Sequence, residues 1–201
     1  HTSNPEITAP FEIPPSWSWS HLNQLANING GFAFKSGNYN SDGTRVVRIS
    51  DFDEDGFKEG KVVRYAFSPE LEKFRLLEGD ILIAMTGGTV GKSFHVKSLN
   101  EPMVVNQRVA TIRASRAITS HFLHIAIQSK GIQEEINKAK NSTNDNISMK
   151  QINSFLVPLP PIAEQHRIVA KVDELMALSD KIKASLAAAQ VTKLNLADSL
   201  V

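Results

Sequence analysis

The chain has 201 residues, 41% of them hydrophobic and 21% charged, and contains no cysteine. That composition suits a folded domain and excludes both a disordered chain and a disulfide framework; no apolar run is long enough to span a bilayer. No signal peptide is legible, so a cytoplasmic location is the default expectation. The formal net charge of +1 lacks the basic excess of a strong electrostatic nucleic-acid binder. Any positive patch must therefore come from arrangement, and weak DNA affinity is expected of the chain alone.

Residues 1–15 are polar, hold four of the nine prolines and show no periodicity, which marks a lead-in arm with no assigned structure. Trp17 and Trp19 alternate with serines, and Leu22, Leu25 and Ala26 follow at helical spacing, so the tryptophans are expected to fill core. Short β-type runs follow at 45–49, 61–65, 80–85, 93–96 and 104–112, separated by Gly, Asn and Asp turns. Helical spacing returns over 120–140, and 141–146 is a polar loop. Many short strands with a few helices predict an α+β domain, mixed and β-rich, over 16–158.

From Leu159 the pattern changes. Pro160 and Pro161 suit a helix start, where the first N–H groups lack partners anyway, and Glu164 places negative charge at the positive helix end. Ile168, Val172, Leu175, Ser179, Ile182, Leu186, Ala189, Lys193, Leu196 and Leu200 then step by four and three alternately, a 3.5-residue repeat that argues coiled coil. No Gly or Pro interrupts 162–201. The helix over 159–201 is therefore long enough to project, about 60 Å at 1.5 Å per residue. The bland alternative is an amphipathic helix folded back on its own domain. Ser179 and Lys193 break the seam, and such polar positions set register.

Several stretches imitate catalytic motifs and fail on spacing. The run from Thr86 to Ser93, TGGTVGKS, has Thr where a phosphate-binding loop needs Gly, and a strand-like alternation follows its lysine; a Gly-rich hairpin loop is expected instead. The run DFDEDG from Asp51 opens like a calcium loop, yet Val62 stands where a bidentate Glu is required. Asp51 or Asp53 with Glu59 and Lys61 loosely copies a metal-dependent nuclease, and this is kept as the less favoured alternative. The six histidines show no ligand spacing, so no metal or other cofactor is expected.

The run PLPPIAEQHRIVAKVDELMALSDKI closely resembles the conserved region that follows a target recognition domain in specificity subunits of type I restriction-modification enzymes. The phrases SWSWSHLNQLANINGGFAFKS, VVRISDF, LLEGDILIAMTGGTVGKS, VVNQRVATIR and NDNISMKQINSFLVPLPP also fall in that family's order and spacing. The resemblance implies a non-catalytic recognition domain for one half of a bipartite DNA target. Its long helix would form an antiparallel coiled coil and dock the modification (methyltransferase) subunits, with the restriction (motor) subunit joining through the complex. S-adenosylmethionine and ATP would belong to those other subunits. Such subunits usually hold two recognition domains and two conserved helices. With one of each, and His1 in place of Met, this chain reads as a half-length fragment or half subunit whose partner helix comes from a second copy or from the missing half.

Recognition needs flexible polar side chains on rigid loops, with Arg and Lys for guanine edges and phosphates and Asn and Gln for adenine. Those types cluster after Gly30-Gly-Phe-Ala-Phe34 (Lys35, Ser36, Tyr39), in the Gly-rich loop (Thr89, Lys92), at Gln107 and Arg108, and over 141–150 (Asn144, Asn146, Lys150). Lys35, Lys92, Arg108 and Lys150 are expected to contact phosphate or guanine, and Gln107, Asn144 and Asn146 adenine or backbone. The helix seam is expected to pair through Ile168, Val172, Leu175, Ile182, Leu186 and Leu196. Each loop has a plain reading as a solvated turn, and near-neutral charge leaves open a helix-mediated scaffold that never touches DNA.

Overall fold

The computed structural model describes residues 9–142 and 145–198. Asn144 and Leu200 lie outside the described residues, and so does the side chain of Leu196. In chain order the first elements are β1 (Ser18–His21), the single turn α1 (Leu22–Leu25), β2 (Ala26–Gly30), β3 (Thr44–Val47) and β4 (Val63–Tyr65). Next come β5 (Ile81–Ala84), β6 (Ser93–His95), β7 (Met103–Val105) and β8 (Val109–Ala114). The chain continues through α2 (Ser120–Gln128), α3 (Lys130–Ser142), α4 (Met149–Asn153), β9 (Leu156–Leu159) and α5 (Ile162–Asp198).

Four strands form an antiparallel sheet in the order β2-β8-β5-β6, and three form a second sheet in the order β4-β3-β7, with β3 and β7 parallel. β5 is buried on both faces, and its period-2 alternation serves two cores. Ile81 and Ile83 pack toward the helices with Leu22, Leu123, Ile127, Ile136 and Ile152. Leu82 and Ala84 face the other way, onto Val47, Phe52, Met103 and Val105. Each fully buried Leu or Ile contributes about 1.5–3 kcal/mol, so β5 is the strand on which both layers depend.

β1 and β9 pair antiparallel, Ser18 opposite Leu159 and His21 opposite Leu156, which brings the start of the domain to the base of α5. Neither strand is expected from the sequence, and nor are β2 and α4. The run 104–112 is two strands rather than one. The Asn106 side chain accepts a hydrogen bond from the Arg108 N–H at 3.2 Å and the Asn106 carbonyl accepts one from Val109 N–H at 2.9 Å, a tight turn that passes the chain from one sheet to the other. The helical stretch over 120–140 likewise divides at Ser129, whose ψ of 150° is extended. Trp17 and Trp19 are half-buried rather than core. Trp17 Nε1 donates to the Glu164 carboxylate at 3.0 Å, and the Trp19 ring meets Phe11 edge-on at 4.8 Å, pinning the arm at that point.

Candidate nucleic-acid interface

The turn 106–108 is a hub to which separate segments are hydrogen-bonded through their backbones. Phe32 N–H donates to Val105 O at 2.8 Å and Gln107 N–H to Phe32 O at 2.9 Å, so the Gly-Gly-Phe loop lies directly against it. A Cβ at Gly31 would sit 2.2 Å from Asn106 O, so only glycine permits this approach. Asn106 N–H donates to Val47 O, and Met85 N–H to Arg108 O, each at 2.9 Å. Ile147 N–H in turn donates to Met85 O at 2.9 Å and Gly87 N–H to Asp145 O at 2.8 Å. All four loop regions singled out in the sequence therefore meet at one place, joined by a fifth segment, 47–50.

Around this hub the side chains differ in freedom. Lys35 and Ser36 are exposed at a single 3-10 turn, Ser36–Asn38. Tyr39 is half-buried, its ring 6.4 Å from both Phe34 and Tyr65, so it supports the loop from beneath. The Gly-rich loop joins β5 to β6 as a hairpin, with Thr89 in its 3-10 turn and the Thr89 hydroxyl buried. Lys92 Nζ donates to Phe52 O at 3.4 Å. Gln107, Arg108, Asn146 and Lys150 are exposed, and the Asn146 backbone bridges to Thr86. A concavity of about 310 Å³ lies here, lined by Phe34, Arg48, Ile49, Ser50, Asn106, Gln107 and Arg108. Arg48, Ile49 and Ser50 carry no local sequence signal for this place, because the Val47–Asn106 contact that brings them in joins residues far apart in the chain.

The electrostatics separate two populations of cations. Arg45 is buried and reaches Glu59 at 2.9 Å and Glu101 at 3.6 Å; Arg48 grips Asp51 at 2.7 Å; Arg113 grips the fully buried Asp80 at 2.7 Å. Arg64 also pairs with Glu101, and its guanidinium holds the Glu101 carboxyl below the usual carboxylate range. By contrast Lys35, Lys92, Arg108 and Lys150 form no ion pair among the described residues, and these are the four cations expected to meet DNA. The nuclease alternative gains no support here. Glu59 is taken by Arg45, Asp51 by Arg48 and Asp53 by Lys58 at 3.1 Å, so each carboxylate it needs already neutralises a neighbouring cation.

Along α5 the expected seam divides in two. Gln165 is fully buried, and Ile168 and Val169 pack against the helix-side core, so Ile168 belongs partly to the fold of the domain. Val172 is half-buried, and Asp173 lies 3.4 Å from His121 of α2. Beyond that, Leu175, Ile182 and Leu186 are 52%, 59% and 60% exposed, and Met176, Leu178 and Val191 are exposed with them. The folded-back alternative therefore fails for the described side chains after Asp173, through Lys193. Among the described residues no helix is long and apolar enough to cross a membrane.

Residues 14–188 match the sequence profile of the type I restriction modification DNA specificity domain. Over 197 residues the chain is 32% identical to the EcoAI specificity subunit of a type I restriction enzyme from Escherichia coli, covering 95% of this chain and 33% of that protein. It is 31% identical over 184 residues to the EcoBI specificity subunit of the same species, covering 90% of this chain and 36% of that protein. The chain thus spans about a third of the length of these relatives. Its fold matches the HsdS subunit of Thermoanaerobacter tengcongensis with a TM-score of 0.68 at 23% identity, covering 89% of this chain and 42% of that one. Sequence profile, curated relatives and fold agree: the chain belongs to the type I restriction-modification DNA specificity domain family.

Proposed function

We propose that this chain is a DNA-reading unit of a type I restriction-modification specificity subunit. Residues 16–158 form the target recognition domain and read one half of a bipartite site. Residues 1–15 lead into it, and residues 159–201 form the helix that spaces the domain from a second one and docks the modification subunits, through which the motor subunit joins. The chain is not itself a catalyst; it supplies position, and chemistry comes from its partners. The observation that carries this reading is the convergence of the loops at 30–39, 47–50, 85–92 and 145–150 on the 106–108 turn, with Lys35, Lys92, Arg108 and Lys150 on those segments free of carboxylate partners among the described residues. Backbone-braced loops with uncommitted cations can give up counterions to phosphate without first breaking an internal ion pair.

The exposed half of the seam supports pairing with a second conserved helix, from another copy or from the rest of a longer subunit. Antiparallel pairing of two copies would give twofold symmetry and select an interrupted palindrome. One selection experiment tests both parts. Duplexes retained from a random-sequence library by the chain with its modification subunits should be enriched in an interrupted palindrome, and Leu175→Lys should retain the half-site while losing the fixed spacing. Retention without any enriched sequence would sink the recognition reading; an unchanged spacing in Leu175→Lys would sink the seam.

A further inference from the structure

A helix can measure distance only if its direction is held. α5 has 37 residues, about 55 Å at 1.5 Å per residue. A tilt of about 10° at its base would carry the far end about 10 Å, roughly three base-pair steps of 3.4 Å. The joint between domain and helix must therefore be stiff to a few degrees; Ile168 and Val169 pack on the core without fixing a direction by hydrogen bonds, and two of its polar contacts are too exposed to stiffen it. Glu164, which meets Trp17, has a side chain 28% exposed, and Asp173, which meets His121, has one 57% exposed. Water can replace both interactions at little net cost.

Gln165 differs. It is fully buried in the first turn of α5, and its amide uses both ends. The Gln165 Oε1 accepts from the Thr119 N–H at 2.8 Å, and Nε2 donates to Ala117 O at 3.2 Å and Pro160 O at 3.0 Å. The reverse amide orientation would set oxygen against two carbonyls and NH₂ against an N–H, so only one orientation fits. Thr119 is also the residue whose side chain caps α2, accepting from Phe122 N–H at 3.3 Å. A single buried amide thus ties the starts of α5 and α2 to the end of the Pro160 linkage. The amide itself is fully buried, so breaking the clasp leaves its own polar atoms without a partner.

We infer that Gln165 is a positioning residue: by clasping the turn before α2 it fixes the direction in which α5 leaves the domain, and so the distance at which this unit holds its DNA half-site from the second. The inference rests on the recognition-domain reading for its consequence, but the clasp is testable without DNA, so the two can fail separately. The chain has no native cysteine, and Ser98 and Ala188 are exposed. Spin labels at Ser98→Cys and Ala188→Cys, with labelled chain diluted into unlabelled chain, report the domain-to-helix distance. The parent should give one narrow distribution, and Gln165→Ala should lose it. Val46→Ala, a core truncation in β3, should keep it despite lower stability. A narrow distribution in Gln165→Ala, or equal broadening in Val46→Ala, would overturn the assignment. If Gln165→Ala does not fold, hydrogen exchange in the parent decides. The Thr119 amide should be protected as strongly as the amides of β5, and rapid exchange there would overturn the clasp.

Discussion

Two sets of basic residues sit in this domain under opposite rules. Arg45, Arg48, Arg64 and Arg113 are each closed by a carboxylate and hold loops and strands together, whereas Lys35, Lys92, Arg108 and Lys150 have no carboxylate partner among the described residues. The formal charge of +1 sums over both and hides the difference. Internal pairs consume acidic residues where the fold needs them, and the loops that converge keep cations that no carboxylate among the described residues neutralises. For a chain of this kind the balance of committed and free charge says more about a polyanionic partner than net charge does.

The contrast breaks most sharply at its structural end. Arg113→Met should cost about 3 kcal/mol in urea unfolding, because Asp80 is fully buried and would keep only the Leu77 N–H, at 2.8 Å, as partner. A loss under about 1 kcal/mol would mean that the arginine is no more committed than a surface lysine. A cluster of histidines lies nearby. His95 of β6 stacks on His121 and lies tilted beside His124 of α2, with centroids 5.5 and 5.9 Å apart; His124 bonds to the Ser93 hydroxyl, His95 to that of Ser120, and His121 faces Asp173. Burial, then the adjacent histidines, pushes His124 down from 6.5 to about 4, with Lys97 adding to the effect. Since the folded pKa is the depressed one, this stability is full above about pH 6.5 and drains as pH falls toward 4. Unfolding free energy should therefore drop by about 2 kcal/mol between pH 7 and pH 5, and His124→Asn should flatten that slope. An equal slope in the variant would place the acid sensitivity elsewhere.

Much of this was legible in the residues, and the gaps have physical causes. The hairpin around Gly87–Thr89, the buried strand β5 and the helix launched by Pro160 and Pro161 follow from local pattern, and local pattern survives in the fold. The division of 104–112 was hidden because strand propensity runs through it and only Asn106 signals the turn. Arg48 joined the interface through a contact between Val47 and Asn106 that no window could contain. Gln165 stands three residues before Ile168, in step with the 3.5-residue seam, but it is polar, and only the turn at 117–119 explains why it is the most enclosed described residue of α5. The seam itself was visible, yet periodicity shows that a face is apolar without showing what covers it: Ile168 is covered by its own domain and Leu175 by nothing in the described chain.

The central claim is that the uncommitted cations at the 106–108 hub meet phosphate. It is tested most directly by the salt dependence of affinity for a mixed-sequence duplex, comparing the parent chain with Lys35→Ala/Arg108→Ala. Neither side chain braces the fold, so unfolding free energy should stay within about 0.5 kcal/mol of the parent. The slope of log K against log salt should become shallower by about 1.8, about 0.9 for each lost phosphate contact, with weaker binding at every salt concentration. An unchanged slope and affinity in a folded double variant would contradict the account and move the DNA contact away from these loops.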